Sequence, residues 1–152
     1  DLVVASVHSS IGQDPARMTE RMVRAMHNPH VDIVGHPTCR LLGSRESVDV
    51  DVDALFRAAL ETGTALEING SPERLDLKDS HIRRARELGA MLVISTDAHT
   101  TEALHNLDFG ASLARRGWCE ARHIVNTLNA EQFSRWLATD KAARSIETAL
   151  HV

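Results

Sequence analysis

The stretch Met91-Leu92-Val93-Ile94-Ser95-Thr96-Asp97-Ala98-His99 decides the fold. Apolar residues run unbroken from Met91 to Ile94, and a carboxylate and an imidazole follow, two positions apart. Such a run suits a strand buried on both faces, and strands of that kind belong to parallel sheets. Just past the C-terminal end of the strand, alternate side chains point the same way, so Asp97 and His99 can reach one ion. A hard oxygen donor beside a borderline nitrogen donor suits Zn²⁺, Mn²⁺ or Fe²⁺. Asp-x-His alone is a weak signal; two other strands that end in a histidine strengthen it.

Upstream the same pattern recurs. Leu2 to Val7 reads as a buried parallel strand that ends at His8. Asp14-Pro15 then opens a helix as N-cap and first helical residue, with Met18, Met22, Ala25 and Met26 as its apolar stripe. Asn28-Pro29 ends it. Val31 to Gly35 is a second strand, followed at once by His36-Pro37, and 38–49 is a long loop of the kind that often carries function. Asp51 caps the next helix, whose face is Val52, Leu55, Phe56, Ala59 and Leu60, and Gly63 stops it. Thr64 to Ile68 is the third strand, with Glu67 near its end and Asn69 beyond. The loop 70–77 holds Arg74 and Asp76, Asp79 or Ser80 caps a helix to Leu88, and Gly89 precedes the fourth strand.

Beyond His99 the pattern is helical only. A short turn reaches Leu104, a helix runs from Phe109 to Arg116, and 120–126 follows. Asn129 then caps a helix bearing Phe133, Trp136 and Leu137, and 141–152 is a weakly helical tail. Four strand–helix units and a helical cap predict an α/β fold with a parallel sheet and right-handed crossovers.

At 152 residues, 43% apolar and 25% charged, the chain has the composition of one globular domain. No run is long enough for a membrane span and no signal peptide opens the chain, so a reducing, cytoplasmic setting is expected. Cys39 and Cys119 make no disulfide framework. The net charge of −4 argues against a generic nucleic-acid-binding surface, though not against a local grip on a phosphodiester through metals. The chain opens directly on an apolar strand, which is expected of the C-terminal piece of something longer.

Active sites of parallel α/β folds gather at the C-terminal strand ends. His8, His36, Asp97 and His99 therefore form the candidate metal set. The competing reading of each histidine is a structural ring bonded to a backbone carbonyl. Glu67 fits better as a carboxylate that fixes the tautomer of a ligating histidine than as a ligand itself. Arg40, Arg45 and Arg74 lie in loops after strand ends, where guanidinium forks suit phosphate oxygens; loop ion pairs with Glu46, Glu73 or Asp76 are the alternative. His27, His30, His81, His105, His123 and His151 are assigned to the surface or to helix ends. Cys39 is expected to be a small loop residue, and Trp118 and Trp136 to pack the helical cap.

Ala5-Ser6-Val7-His8-Ser9, Gly35-His36-Pro37-Thr38, Leu66-Glu67-Ile68-Asn69 with Pro72 to Leu77, and Ser95-Thr96-Asp97-Ala98-His99 resemble the later motifs of the PHP (polymerase and histidinol phosphatase) domain. Arg40-Leu41-Leu42-Gly43 and Ala114 to Trp118 narrow the resemblance to the PHP domain at the C-terminus of bacterial and archaeal family X DNA polymerases. The resemblance covers nearly the whole chain. It implies the C-terminal part of a distorted (β/α)₇ TIM-like barrel, with 1–152 as a single partial PHP domain, and up to three divalent ions (Mn²⁺ or Zn²⁺, with Fe²⁺ a third choice). Matched motif by motif, His8, His36, Asp97 and His99 would be metal ligands, Asp97, His99 and Arg74 catalytic, and Arg40, Asn69 and Arg74 near the substrate. The family's first motif, His-x-His on its first strand, and the polymerase domain are not in this sequence, and Cys39 stands where glycine is usual. Four strands cannot close a barrel, so both outer strands are expected to be raw edges beside an exposed apolar face, with weak metal affinity in the piece alone.

The activity so implied is a metal-dependent phosphoesterase, a 3′→5′ exonuclease acting on DNA 3′ ends in repair, with the rest of the PHP domain and a polymerase domain as partners in the same protein. One alternative is a stand-alone PHP phosphatase on a small phosphomonoester such as histidinol phosphate. Another, of a different class, is an inactive remnant with a structural or interaction role. An amidohydrolase-type zinc barrel ranks below these.

Overall fold

A computed structural model describes residues 1–150. Strands and helices alternate as β1 (Val4–Ala5), α1 (Pro15–Met26), β2 (Ile33–Val34), α2 (Val52–Thr62), β3 (Ala65–Asn69), α3 (Asp79–Leu88) and β4 (Leu92–Ser95). Helices α4 (Leu107–Arg116), α5 (Ala130–Ala138) and α6 (Ile146–Leu150) follow, with 3₁₀ turns between them. The strands form one parallel sheet in the order β1-β2-β3-β4. Each crossover passes on to the next strand without the reversal that marks a doubly wound sheet. The four parallel strands and six helices make an α/β fold compatible with an arc of a barrel.

Local chemistry sets most boundaries. Asp14 Oδ1 accepts the amides of Ala16 and Arg17 at 3.0 and 3.2 Å, with Pro15 at the first helical position. Asp51 Oδ1 caps α2 through Ala54 N at 2.9 Å. Asn129 and Gln132 form a reciprocal capping box on α5. Gly63 and Gly89 end α2 and α3 at φ 67° and 85°, a conformation that glycine adopts without steric cost. One expected cap moves: Lys78 is the N-cap of α3, and Asp79 is already helical.

The sheet separates two apolar layers, because successive side chains alternate between its faces. Val34, Leu66, Ile68 and Leu92 meet Met18, Met22 and Met26 of α1, Leu55 and Phe56 of α2, Ile82 of α3 and Ala114 of α4. On the opposite face Ile33, Ala65, Met91 and Val93 meet Trp136, Ile146 and Ala149. The same alternation puts Gly35, Glu67, Asn69 and Ser95 further up that second face. Its lower half is therefore sealed by α5 and α6, and its upper half is polar. The tail is anchored where Arg144 Nη1 meets Asp32 Oδ1 at 2.5 Å, both side chains nearly buried.

Some expectations are corrected. The first strand shrinks to Val4–Ala5, and Leu2, Val3 and Val4 are 43%, 41% and 52% exposed, so it is an edge rather than a strand buried on both faces. The face opposite α1 to α4 is not an exposed apolar surface, since α5 and α6 cover its lower half. The β4 edge is not raw either. Leu92 bridges to Ile124 in parallel, and the Asn126 amide accepts from Ile94 N at 3.0 Å and donates to Ile94 O at 2.8 Å. Leu60 is 53% exposed and falls off the stripe of α2, where Ala58 and Thr62 are buried instead. Trp118 is 58% exposed under the Arg83 guanidinium, 3.9 Å from its ring centre, and does not pack the cap as Trp136 does. No helix among the described residues is long and apolar enough to cross a membrane.

Candidate active site at the strand ends

Glu67 joins three strand ends. Its buried carboxylate accepts the backbone N–H of His36, the Asn69 side-chain amide at 3.2 Å and the Ser95 hydroxyl. The supporting role expected of Glu67 takes a different form here: it holds the His36 backbone, not a histidine ring. Gly35 lets β1 pass close by, since a Cβ there would clash with Ser6 Oγ and stand 3.2 Å from Val4 Cγ1.

His36 so held is buried, and its ring stands edge-on to that of His8 with centroids 5.1 Å apart. His36 Nδ1 is buried and has no hydrogen-bond partner among the described residues. Buried polar atoms are almost always paired, so an orphan calls for a reason. Burial pushes the His36 imidazole below its ordinary pKa, helped by the Arg74 guanidinium and opposed by Glu67. Burial thereby favours the neutral ring, the form that coordinates metals. His36 and Asp97 both hold left-handed backbone, at φ 28° and 51°. Strain of this kind in residues with a Cβ concentrates at functional sites.

Asp97 Oδ2 accepts from Arg74 Nε at 3.2 Å. The Arg74 side chain is largely buried, and its Nη1 is a second orphan among the described residues. His99 Nδ1 lies 2.7 Å from the Asp97 carbonyl. Arg74, Asp97 and His99 share the wall of a polar cavity of about 480 Å³, which Ser71, Thr96, Ala103 and Asn106 also line.

The other site residues support these loops. Asp76 is fully buried and accepts from Thr38 N at 2.9 Å and Thr38 Oγ at 2.8 Å, which ties the loop after His36 to the loop after β3. Burial raises its pKa to about 6 against the pull of those two bonds. Arg40 donates to the carbonyls of Arg74 (2.6 Å) and Leu75, and Arg45 to that of Cys39 (2.8 Å), so neither forms the loop ion pair set out as the alternative. Asn69 is buried, with its Oδ1 on Ser71 N at 2.9 Å. Cys39 is buried at φ 53°, a backbone that explains why glycine suits this position. His81 lies in the first turn of α3, a helix end as expected, half-buried against Phe56, and burial lowers its pKa to about 4. His123 caps the amide of Glu120 as a helix-end residue would. His151 lies outside the described residues.

The structure thus brings together His8 with His36 and Arg74 with Asp97 and His99. It does not gather three or more His, Cys, Asp or Glu side chains into a metal-holding group among the described residues. The donor chemistry and the unpartnered His36 nitrogen fit one side of a divalent-ion site, and Asp97 is engaged by Arg74. Sequence reasoning missed Ser95, Thr38 and Asp76 as the polar ties of the site. Ser95 was within reach, since in-register β3 and β4 put it on the face that Glu67 occupies.

No family model matches the chain. It is 42% identical over 137 residues to the DNA polymerase/3′-5′ exonuclease PolX of Bacillus subtilis (strain 168), covering 90% of this chain and 24% of that protein. This chain belongs to the PHP family. It is of the type found in family X DNA polymerases, and several other relatives carry phosphatase names. A probable phosphatase of Shewanella sp. (strain ANA-3) is 34% identical over 121 residues, 74% of this chain and 46% of that one. A probable phosphatase of Thermoanaerobacter sp. (strain X514) is 31% identical over 136 residues, with 84% and 53% covered. The PHP chain therefore spans between a quarter and about half the length of these curated relatives. Their names support a phosphoesterase-type hydrolase.

Proposed function

We propose that this chain is the strand-end half of a metal-dependent phosphodiesterase site, and that its protein removes nucleotides from DNA 3′ ends in repair, in the cytoplasm. The finer fold reading goes with it: the four-stranded arc is part of a (β/α)₇ barrel completed by other segments of the protein. The observation that carries the reading is that the His8–His36 pair and the Arg74–Asp97–His99 group both lie at the C-terminal strand ends of the parallel sheet, with His36 Nδ1 and Arg74 Nη1 buried and unpartnered among the described residues. A relative named for 3′-5′ exonuclease activity agrees with it.

His8 and His36 would hold a divalent ion, with Asp97 and His99 as further ligands and the remaining donors outside this chain. Such an ion lowers the pKa of a bound water and offsets charge on phosphate oxygens. Glu67 fixes the His36 backbone, and burial favours its neutral ring. Arg74 presents a guanidinium to phosphate oxygens, and Asp97 orients it. Arg40 braces the Arg74 loop from behind through backbone carbonyls, and Asn69 holds the turn at Ser71.

A second reading, hydrolysis of a small phosphomonoester, draws on the phosphatase names of several relatives and on a cavity of about 480 Å³ that would take one nucleotide-sized ligand. The deciding experiment incubates the full-length protein and Mn²⁺ with 5′-labelled single-stranded DNA and, separately, with p-nitrophenyl phosphate. Stepwise shortening of DNA, lost in Asp97→Ala with His99→Ala, is the expected result. Turnover of the monoester alone moves the protein to the small-molecule phosphatases, and no turnover of either defeats both readings.

A further inference from the structure

Beside the site lies a second cavity of about 370 Å³, between the loop that follows Arg74 and one face of α4. Phe109 and Leu113 form its apolar wall, with Arg40, Lys78, Asp79 and Arg116 around it. Three cations to one carboxylate is a local excess of positive charge in a chain of net charge −4. Asp79 answers only one of the three, taking the Arg116 fork at 2.9 and 2.6 Å. Phe109 is 50% exposed, in a chain with only 3 Phe, 2 Trp and no Tyr.

The groove adjoins the site. Arg40, in its wall, grips the carbonyls of Arg74 and Leu75, and Leu75 lines the groove while Arg74 lines the site cavity. On the other side Asn106 lines the site cavity and Phe109, one helical turn on, lines the groove. The two cavities are thus neighbours along Arg74–Leu75 and along Asn106–Phe109.

We propose that the Phe109 groove binds the single strand of nucleic acid behind the reacting 3′ end, one base stacked on Phe109 and the backbone phosphate on Lys78. This rests on the exonuclease reading above. A flat aromatic face with flanking cations binds single strands regardless of sequence, because every base has a π-face and every residue a phosphate. A protein segment would cover Phe109 equally well, but it would leave the excess of positive charge unanswered unless acidic.

Two measurements on the full-length protein test it. In the first, an oligothymidylate bearing 5-iodouracil near its 3′ end is photo-crosslinked with turnover stopped by chelation of metal, and the adduct is mapped. The adduct is expected at Phe109. In the second, Phe109→Ala raises KM for the oligonucleotide about tenfold and leaves turnover of a dinucleotide unchanged; Phe109→Trp restores KM. Lys78→Ala lowers the slope of log KM against log salt by about 0.7. Adducts mapping elsewhere, with KM unmoved in Phe109→Ala while the wild type still degrades DNA, overturn the groove and leave the nuclease standing. A lowered melting temperature with KM unmoved makes Phe109 a packing residue and also overturns it. A wild type that hydrolyses only the dinucleotide or the monoester removes the exonuclease reading, and the groove proposal with it.

Discussion

Replacing Glu67 tests whether one carboxylate holds three strand ends together. Its oxygens accept from His36 N, Asn69 Nδ2 and Ser95 Oγ, and the His36 amide and Asn69 are buried. Glu67→Ala strands those two buried donors, at about 1–3 kcal/mol each, while the half-buried Ser95 hydroxyl can turn to water. The expected loss is about 4 kcal/mol, a large share of a small domain's stability. Glu67→Gln keeps an acceptor for His36 N and Asn69, and its amide can donate to Ser95. It loses only charge assistance, about 1 kcal/mol. Denaturant unfolding of the full-length protein followed by tryptophan fluorescence gives both values, since Trp136 is buried and reports on this domain. Equal losses in the two variants, or a loss below about 1 kcal/mol in Glu67→Ala, would refute the assignment of Glu67 as the tie.

Two further predictions concern the loops beside it. A Cβ on Gly70 would stand 2.9 Å from Gly110 N and closer still to the Asn106 carbonyl, both backbone, so Gly70→Ala should cost about 1–3 kcal/mol of stability. Gly12→Ala, with nothing within 4 Å, is its control, and an equal effect in both would dismiss the close approach. Asp76, with its pKa raised from 3.8 to about 6, carries stability that is complete below the lower value and lost as pH rises through the higher. Relative to Asp76→Asn, the wild type should lose about 3 kcal/mol between about pH 4 and about pH 7. A flat difference across that range would mean that Asp76 is ionised at little cost.

The sequence made legible what is local. The caps at Asp14, Asp51 and Asn129 and the stops at Gly63 and Gly89 depend on residues within four positions, and all of them stand in the structure. The strand-end positions of His8, His36, Asp97 and His99 follow from strand boundaries, which periodicity marks. What stayed hidden depends on pairs distant in sequence. Thr38 and Asp76 are 38 residues apart, and nothing in either loop announces the other. Leu60 and Trp118 are apolar by type, and only packing leaves them outside. His81 is half-buried because α3 lays it on Phe56 of α2, a contact between helices that no helical period encodes.

The Asn126 side chain gives the sheet a direction of growth. A primary amide that both donates to and accepts from Ile94 presents to β4 what a neighbouring peptide group would, and then stops, having no chain to extend. At Ile94 the β4 edge is thereby already paired, and Ile124 pairs it again at Leu92. The β1 edge has no such cover: Leu2, Val3 and Val4 are each more than 40% exposed, and further strands of the same polypeptide would continue the arc there.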